Sequence, residues 1–454
     1  MSRTRLGQFL WYSLHYEKFA DGSVKCIEDE IPFELPDGWA WARLGSIANI
    51  VTGRLDANAQ TKDGAYPFFT CGEEVFKTDS YAFDCNAILL GGNNATGEFK
   101  MHKFSGKFNA YQRVYVITTF PEIDVDYLYN HIRHYLPRLQ SQSIGSQTRY
   151  LKLGMITELL IALPTFCEQK IISRTCNKYI NYCTEIASEK NELKSIIKGT
   201  KSKILDLAIH GKLVPQDPND EPASILLERI RAEKEELIKQ GKIKRNKKES
   251  IIFKGADNSY YEKIGLEVRC IDSEIPFDLP ESWMFARLKH IGEVIGGGTP
   301  KTNIDEYWDG NIPWLTPADL SGYEDMHIST GARTITELGL KSSSAQLLPE
   351  NSILYSSRAP IGYIAIAANP ISTNQGFKSV VPYNSAMSPY LYYCLKARTS
   401  DIVRRATGTT FKEISGSEMA ETIVPLPPIN EQQRIFDKTT KLLEVLSTIE
   451  KSLN

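Results

Sequence analysis

The chain has 454 residues, of which 42% are hydrophobic and 24% are charged, and its formal net charge is −2. This length predicts about three units, and this composition is sufficient to form buried hydrophobic cores. No apolar run reaches about 18 residues and the N-terminal stretch lacks a continuous apolar region, so we expect neither a membrane span nor a signal peptide. The eight cysteines form no CxxC pair, which favours reduced thiols and a cytoplasmic protein. Nucleic-acid-binding proteins are often basic, so this net charge weakly opposes that function, although one positive face would suffice.

The sequence contains an internal repeat. Residues 27–44 read IEDEIPFELPDGWAWARL, and residues 271–288, which lie 244 positions later, read IDSEIPFDLPESWMFARL. A second pair of related segments closes each copy, as LPTFCEQKII at 163–172 and LPPINEQQRI at 426–435. The residues between these borders look unrelated in the two halves. Constant borders around divergent inserts predict one scaffold that recognises two different ligands.

Each insert is predicted to be a mixed, strand-rich domain. Runs of β-branched and aromatic residues bounded by Gly, Asn and Asp indicate strands. In the first insert these runs lie at 66–70, 87–92 and 113–120, followed by a helical pattern at 124–139 and a glycine-containing loop at 145–150. The second insert has strands at 353–357, 361–368 and 378–382, a helix at 388–406 and a loop at 408–413. The order of elements is therefore shared where sequence identity is lost.

The borders lead into two long helices with heptad spacing. The first seam is Ile172, Cys176, Tyr179, Cys183, Ile186, Lys190, Leu193 and Ile197; the second is Ile435, Thr439, Leu442, Leu446, Ile449 and Leu453. Matched seams favour helices that pack on each other, and two separate amphipathic helices are the alternative. The basic run KIKRNKK at 242–248 indicates a solvated linker, with phosphate contact as the alternative.

At this point the chain resembles a known family. The segment AIHGKLVPQDPNDEPASILLERIRAEKEEL at 208–237, the two LPxxxEQ borders and the two IPFxLPxxW openings resemble the specificity subunit of type I restriction–modification systems. The resemblance covers nearly the whole chain. It implies an α+β fold in which two mixed α/β target-recognition domains are separated by long antiparallel coiled-coil helices, with a pseudo-twofold internal repeat.

The domain boundaries follow from the repeat and the resemblance. We expect an N-terminal segment at 1–26, target-recognition domain 1 at 27–165, a central conserved helical region at 166–255, target-recognition domain 2 at 256–428 and a C-terminal conserved helix at 429–454. The second helical region ends at the repeat equivalent of Asn191, so it lacks a counterpart to residues 192–255.

The resemblance also implies partners. Each recognition domain would read one half of a bipartite target in double-stranded DNA. The helices would set the spacing and dock methyltransferase subunits, two in number, and the full complex would add two restriction subunits. S-adenosylmethionine, ATP and Mg²⁺ would be bound by those partners, and the chain itself would bind no cofactor.

The lack of catalytic motifs in the sequence favours a binding protein. The sequence contains no [DNS]PP[YFW] methyltransferase motif and no GxxxxGK[ST] phosphate loop. The glycine-rich GGGTPK at 296–301 is better explained as a turn than as a phosphate cradle. We therefore expect a non-catalytic subunit that directs the activities of its partners. A structural adaptor that bridges proteins without touching DNA is the alternative.

Candidate DNA-contacting residues are polar or cationic side chains in loops next to strands, because such groups reach base edges and phosphates. Gln112 and Gln375 are repeat equivalents, and a structural role at a strand end is an alternative for both. The candidates in the first insert are Asn93, Asn94, Tyr111, Gln112, Arg113, Ser146, Gln147 and Arg149. Those in the second are Ser357, Arg358, Asn374, Gln375, Lys378, Thr409, Thr410 and Lys412.

Overall fold

A computed structural model describes residues 14–241, 243, 249–408 and 412–453. The basic run at 242–248, apart from Ile243, and the candidates Thr409 and Thr410 lie outside the described residues. The chain forms two compact units, Met1–Ser188 and Glu189–Asn454. None of the described helices is both long and apolar enough to cross a membrane.

The first unit is built around a six-stranded sheet. Its strands are β1 (Tyr16–Lys18), β2 (Val24–Cys26), β3 (Ala40–Arg43), β4 (Ala48–Thr52), β5 (Tyr66–Phe69), β6 (Val75–Thr78), β7 (Phe83–Gly91), β8 (Asn93–Asn94), β9 (Met101–Ala110), β10 (Val114–Thr119), β11 (Arg149–Tyr150) and β12 (Leu160–Leu163). The sheet order is β4-β10-β7-β9-β5-β6. The helices are α1 (Leu44–Ile47), α2 (Val125–Gln142), α3 (Leu153–Thr157) and the start of α4 (Phe166–Ile209), which continues into the second unit.

The second unit contains a five-stranded and a three-stranded sheet. Its strands are β13 (Ser250–Lys254), β14 (Tyr260–Ile264), β15 (Glu267–Cys270), β16 (Met284–Arg287), β17 (Gly292–Gly296), β18 (Trp308–Leu315), β19 (His327–Ile328), β20 (Arg333–Ile335), β21 (Ile353–Ser357), β22 (Ile361–Ala367), β23 (Ser372–Thr373), β24 (Lys378–Pro382) and β25 (Ile423–Leu426). The sheet orders are β17-β24-β21-β22-β19 and β20-β18-β23. The helices are α5 (Ala223–Lys239), α6 (Leu288–Ile291), α7 (Glu337–Lys341), α8 (Ser388–Ala397), α9 (Thr399–Arg405), α10 (Gly416–Ala420) and α11 (Ile429–Ser452).

The α+β fold predicted from the sequence is confirmed, and strand β7 shows why it forms. Its side chains alternate between two cores, because successive residues of a strand point to opposite faces of the sheet. Ile88 and Leu90 belong to the core that contains α2, whereas Leu89 belongs to a separate core on the other face. Helix α2 begins where the Asp124 carboxylate accepts a hydrogen bond from the Tyr127 amide at 2.8 Å, as an N-cap should.

The internal repeat is confirmed element by element. Strand β3, α1 and β4 recur as β16, α6 and β17 at an offset of 244, while α3, β12 and the start of α4 recur as α10, β25 and the start of α11 at an offset of 263. Helix α2 corresponds to α8 and α9 together. The single helix predicted over 388–406 is therefore two helices, which meet at the buried Arg398.

Helices α4 and α11 run antiparallel within the second unit. Ile209, the last residue of α4, shares a core with Ile435 near the start of α11. Lys201, two turns earlier, donates to Glu450 near the end of α11 at 2.6 Å. The predicted seam positions Tyr179 and Ile186 are 62% and 63% exposed. The last predicted seam position, Ile197, is only 2% exposed, so the described contact uses the C-terminal part of α4 from the end of the predicted seam onward.

An arginine ties the opening and closing segments of each unit together. In the second unit Arg287 on β16 forms hydrogen bonds to Glu262 on β14 at 2.7 and 2.8 Å and to the carbonyl of Glu421 after α10 at 3.0 Å. Burial of the Glu262 carboxyl opposes its charge, but hydrogen bonds from Arg287, Ser250 and Arg269 outweigh burial and hold its pKa well below the ordinary value.

The first unit repeats this arrangement around Arg43. Arg43 forms hydrogen bonds to Glu17 on β1 at 2.7 Å and to Glu30 at 2.8 Å, and it donates to the carbonyl of Glu158 at 2.7 Å. Hydrogen bonds from Arg43 and Lys25 lower the pKa of Glu30 to about 2. We refer to the Arg43 and Arg287 networks as the arginine clasps.

Replacing Arg287 with Ala should strongly destabilise the second unit. The Glu262 side chain is only 1% exposed, and an unpaired buried charge costs about 3–5 kcal/mol. Hydrogen exchange of β14 and β16 measures the local loss directly. Arg269→Ala is the matched control, because Arg269 contacts the same carboxylate at 2.6 Å but is 54% exposed, which predicts a loss of about 0–1 kcal/mol. Equal effects of the two substitutions would contradict the clasp.

Candidate nucleic-acid interface

Two loops that are distant in sequence meet in the first unit. Strand β8 pairs antiparallel with β11, which places Asn94 opposite Arg149 and Asn93 opposite Tyr150. The amide of Leu151 extends this contact by donating to the carbonyl of Gly92 at 2.8 Å. The structure therefore brings together the candidates Asn93, Asn94 and Arg149, which the sequence had placed in two separate loops.

The turn between β9 and β10 adjoins the same two loops. The amide of Gly92 donates to the carbonyl of Arg113 at 2.7 Å, so Arg113 lies beside the start of β8. Tyr111 and Gln112 occupy the same turn, and the Gln112 side-chain amide donates to the Asp56 carboxylate at 2.9 Å. Gln112 and Arg113 are exposed, and Tyr111 is half-buried. All three candidates of this turn thus border one surface.

The remaining candidates of the first unit lie on a hairpin tip. Ile144 and Tyr150 form its closing bridge, and Ser146 and Gln147 are exposed between them. Arg149 is half-buried, and its guanidinium donates to the carbonyl of Gln140 and to the Ser143 hydroxyl, both at 3.3 Å. These bonds hold the Arg149 side chain against the end of α2.

The second unit repeats the backbone arrangement with different side chains. The amide of Ser357 donates to the carbonyl of Gly376 at 2.7 Å, and the amide of Ile414 donates to the carbonyl of Ser357 at 3.0 Å. These are the counterparts of the Gly92–Arg113 and Leu151–Gly92 bonds. A bridge between Thr407 and Glu413 closes the hairpin, at an offset of 263 from the bridge between Ile144 and Tyr150.

Two cationic candidates of the second unit lie near the Glu413 carboxylate. Arg358 pairs with Glu413 through the backbone, and its guanidinium lies 3.8 Å from the carboxylate. The Lys378 ammonium lies 3.5 Å from the same carboxylate. Lys412 is exposed on the hairpin. Arg358 keeps 37% of its side-chain surface exposed, so the guanidinium can still reach a ligand.

Three other candidates of this unit are occupied by internal hydrogen bonds. Ser357 is fully buried, and its hydroxyl donates to the carbonyl of Gly376 at 3.0 Å, so its side chain supports the loop from behind. The Asn374 side chain accepts from the amide of Gly376 at 2.8 Å. Gln375 is exposed, and its side-chain oxygen accepts from the Thr299 hydroxyl.

Two glycines that were not among the predicted candidates bring a further segment to each surface. A Cβ on Gly53 would lie 2.1 Å from the carbonyl oxygen of Ala110, and a Cβ on Gly297 would lie 2.1 Å from that of Asn374. Real Cβ atoms do not approach so closely, so only glycine fits. The sequence could have identified these glycines by their position in the repeat. Gly53 follows β4 and Gly297 follows the equivalent strand β17, at the offset of 244.

The assembled groups suit hydrogen bonding and charge recognition. They are amides, hydroxyls, guanidinium groups and ammonium groups, which match base edges and phosphates. Burial raises the pKa of the nearby Cys71 thiol and of the Tyr115 hydroxyl, so both are neutral at pH 7. Across the part of the chain that the structure describes, no cluster of three or more His, Cys, Asp or Glu residues could hold a metal ion.

Comparison with known proteins identifies relatives. The sequence matches the family described as "Type I restriction modification DNA specificity domain" over residues 36–195 and 280–454. The MjaIX type I restriction enzyme specificity subunit of Methanocaldococcus jannaschii is 48% identical over 159 residues, which cover 35% of this chain and 37% of that protein. The EcoDI specificity subunit of Escherichia coli is 29% identical over 428 residues, which cover 93% of this chain and 85% of that protein.

A solved structure shares the fold. Its description reads "Structural basis underlying complex assembly and conformational transition of the type I R-M system", and it superimposes with a TM-score of 0.52. The likeness covers 93% of this chain and 94% of the other at 16% identity. At this identity the likeness concerns the fold alone.

Substituting Gly53 with Ala should disturb the candidate interface of the first unit. The new Cβ must displace the backbone at Ala110, and overpacking of this kind costs about 1–3 kcal/mol. Thermal unfolding and binding to duplex DNA measure the effect. Gly154→Ala is the matched control, because no atom lies within 4 Å of a Cβ at that position in α3. Wild-type stability and DNA binding in the Gly53 variant would contradict the close approach.

Proposed function

Because this chain belongs to the type I restriction–modification DNA specificity family, we propose that it is the subunit that selects the DNA sequence on which a type I restriction–modification complex acts. The observation that carries the proposal is the repeated loop assembly. Each unit joins a β-strand end, a turn and a hairpin through equivalent backbone hydrogen bonds, such as Gly92 to Arg113 and Ser357 to Gly376. A scaffold that is constant in backbone and variable in side chain is what a reader of two different half-sites requires.

Each unit reads one half of a bipartite target in double-stranded DNA. Asn side chains can bind adenine through two hydrogen bonds, and Arg side chains can bind guanine in the same way. Asn93 offers the first chemistry in one unit, and Arg358 offers the second in the other. The Asn94 side-chain oxygen instead accepts hydrogen bonds from the amide and the hydroxyl of Thr96, both at 2.8 Å. Arg113, Lys378 and Lys412 are suited to phosphate, which positions a protein on DNA without reading its sequence.

The chain acts through partners. The MjaIX and EcoDI relatives are specificity subunits, and such subunits are not themselves catalytic. We propose that two methyltransferase subunits and two restriction subunits assemble with this chain. The helices α4 and α11 set the spacing of the half-sites and dock the methyltransferase subunits. S-adenosylmethionine, ATP and Mg²⁺ bind to the partner subunits. The expected location is the cytoplasm, where the DNA is.

Reconstitution tests the proposal. The purified chain alone should neither methylate nor cleave DNA. Combined with its co-encoded methyltransferase subunit and S-adenosylmethionine, it should direct adenine methylation to one split sequence in genomic DNA of the source organism, read by single-molecule sequencing. Methylation that does not depend on this chain, or that falls on unrelated sequences, would contradict the proposal. A structural adaptor would give the same methylation motif whether or not its inserts were intact.

A further inference from the structure

In each unit, a segment that contains none of the predicted candidates borders the candidate nucleic-acid interface. We propose that Gly53–Asp56 and Gly297–Lys301, called the glycine segments, form part of the DNA-contacting surface. Arg54 and Lys301 are their phosphate-contacting residues, and Gln112 and Gln375 are positioning residues that hold the segments in place. This inference rests on the proposed function, because it assigns further residues to the same DNA interface.

Backbone hydrogen bonds fix the first glycine segment to the turn between β9 and β10. The amide of Gly53 donates to the carbonyl of Val114 at 3.0 Å, and the amide of Leu55 donates to that of Ala110 at 3.4 Å. The amide of Gln112 returns a bond to the carbonyl of Leu55 at 2.9 Å. Arg54 therefore lies between two anchored residues, directly beside the turn that carries Arg113.

The second glycine segment is anchored by one backbone hydrogen bond and by two tryptophan indoles of β18. The amide of Gly298 donates to the carbonyl of Thr373 at 2.9 Å, and its own carbonyl accepts from the Trp314 indole at 2.9 Å. The carbonyl of Lys301 accepts from the Trp308 indole at 3.1 Å. The GGGTPK motif at 296–301, which the sequence predicts to be a turn, therefore packs next to the candidate interface. The side chain of its last residue, Lys301, is exposed.

The repeat-equivalent glutamines each engage the adjoining glycine segment. Gln112 donates through its side-chain amide to the Asp56 carboxylate, and Gln375 accepts through its side-chain oxygen from the Thr299 hydroxyl. The Gln112 side chain donates and the Gln375 side chain accepts, but in both units the glutamine side chain is bonded to the adjoining glycine segment. The same residue type, at the same repeat position, is bonded to the same segment in both units, which favours positioning over base reading. Glutamine suits both units because its side chain can donate to the Asp56 carboxylate or accept from the Thr299 hydroxyl.

Arg54 and Lys301 have the properties of phosphate contacts. Both side chains are exposed, and within the described residues neither forms an ion pair. By contrast, Arg358 and Lys378 both lie near Glu413. A cation without an internal partner gains most from a phosphate, and each such contact contributes about one unit to the salt dependence of DNA binding.

Salt dependence tests the two cations. The full chain assembled with its methyltransferase subunit is titrated with a mixed-sequence DNA duplex at several salt concentrations. Arg54→Ala and Lys301→Ala should each reduce the slope of log affinity against log salt by about one unit, and the double variant by about two. Lys18→Ala is the control, because Lys18 is exposed on β1, beside the Arg43 clasp at the far end of β4, and it should leave the slope unchanged.

A compensating pair of substitutions tests the positioning role. Gln112→Glu places two carboxylates in contact and should weaken binding about tenfold or more. Adding Asp56→Asn restores a donor opposite the new carboxylate and the wild-type net charge, so binding should recover. The methylation motif should stay the same in both variants. A motif changed at one position in Gln112→Glu, without recovery in the double variant, would show that Gln112 reads a base and would overturn the positioning role.

The outcomes separate this inference from the proposed function. If the wild-type assembly fails to bind DNA or to methylate a split motif, the proposed function fails. If the wild type binds and methylates while Arg54→Ala and Lys301→Ala retain the wild-type salt slope, the glycine segments do not contact phosphate and only the inference is overturned. Unchanged thermal unfolding of the variants confirms that an altered slope reports the interface.

Discussion

The arginine of each clasp is the contact on which the architecture depends. Arg43 and Arg287 each join a hairpin before the recognition unit to the turn that precedes its closing strand. A guanidinium is suited to this position because its five donors form a rigid fork that can hold several oxygens at once. The two ends of a long insert are thereby held at a fixed place, whatever lies between them.

Because the clasps fix the two ends of each insert, the sequence of the insert between them can vary. The inserts differ in length and in nearly every side chain, yet the backbone bonds that join the turn, the strand end and the hairpin recur in both units. Backbone groups carry these bonds, so side chains on the outer surface can change without loss of the scaffold. The close approach at Gly53 and Gly297 is the exception, because there the absence of a side chain is itself required.

Local patterns predicted much of the fold but only part of the candidate interface. Strands at 353–357 and 378–382 match β21 and β24, because these elements depend on periodicity. The break at Arg398 was not predictable, since it arises from the burial of one arginine and its bond to Asp401 at 2.7 Å. The arginine clasps could not be predicted from local sequence patterns either, because they join residues that are far apart in sequence. Composition likewise could not show that Ser357 is buried or that Gln112 and Gln375 have internal partners, because both facts depend on tertiary packing.

The central claim is that each unit reads its own half of the DNA target, and exchanging one insert tests it most directly. Residues 45–162 are replaced with the corresponding insert of a relative, which leaves the borders, Arg43 and the whole second unit unchanged. Methylation mapping of DNA modified by the assembled complex should show one half of the motif replaced and the other half retained, with the reciprocal exchange of 289–425 changing the other half. If either exchange altered both halves, the two units would not be independent readers of the DNA, and the central claim would be contradicted.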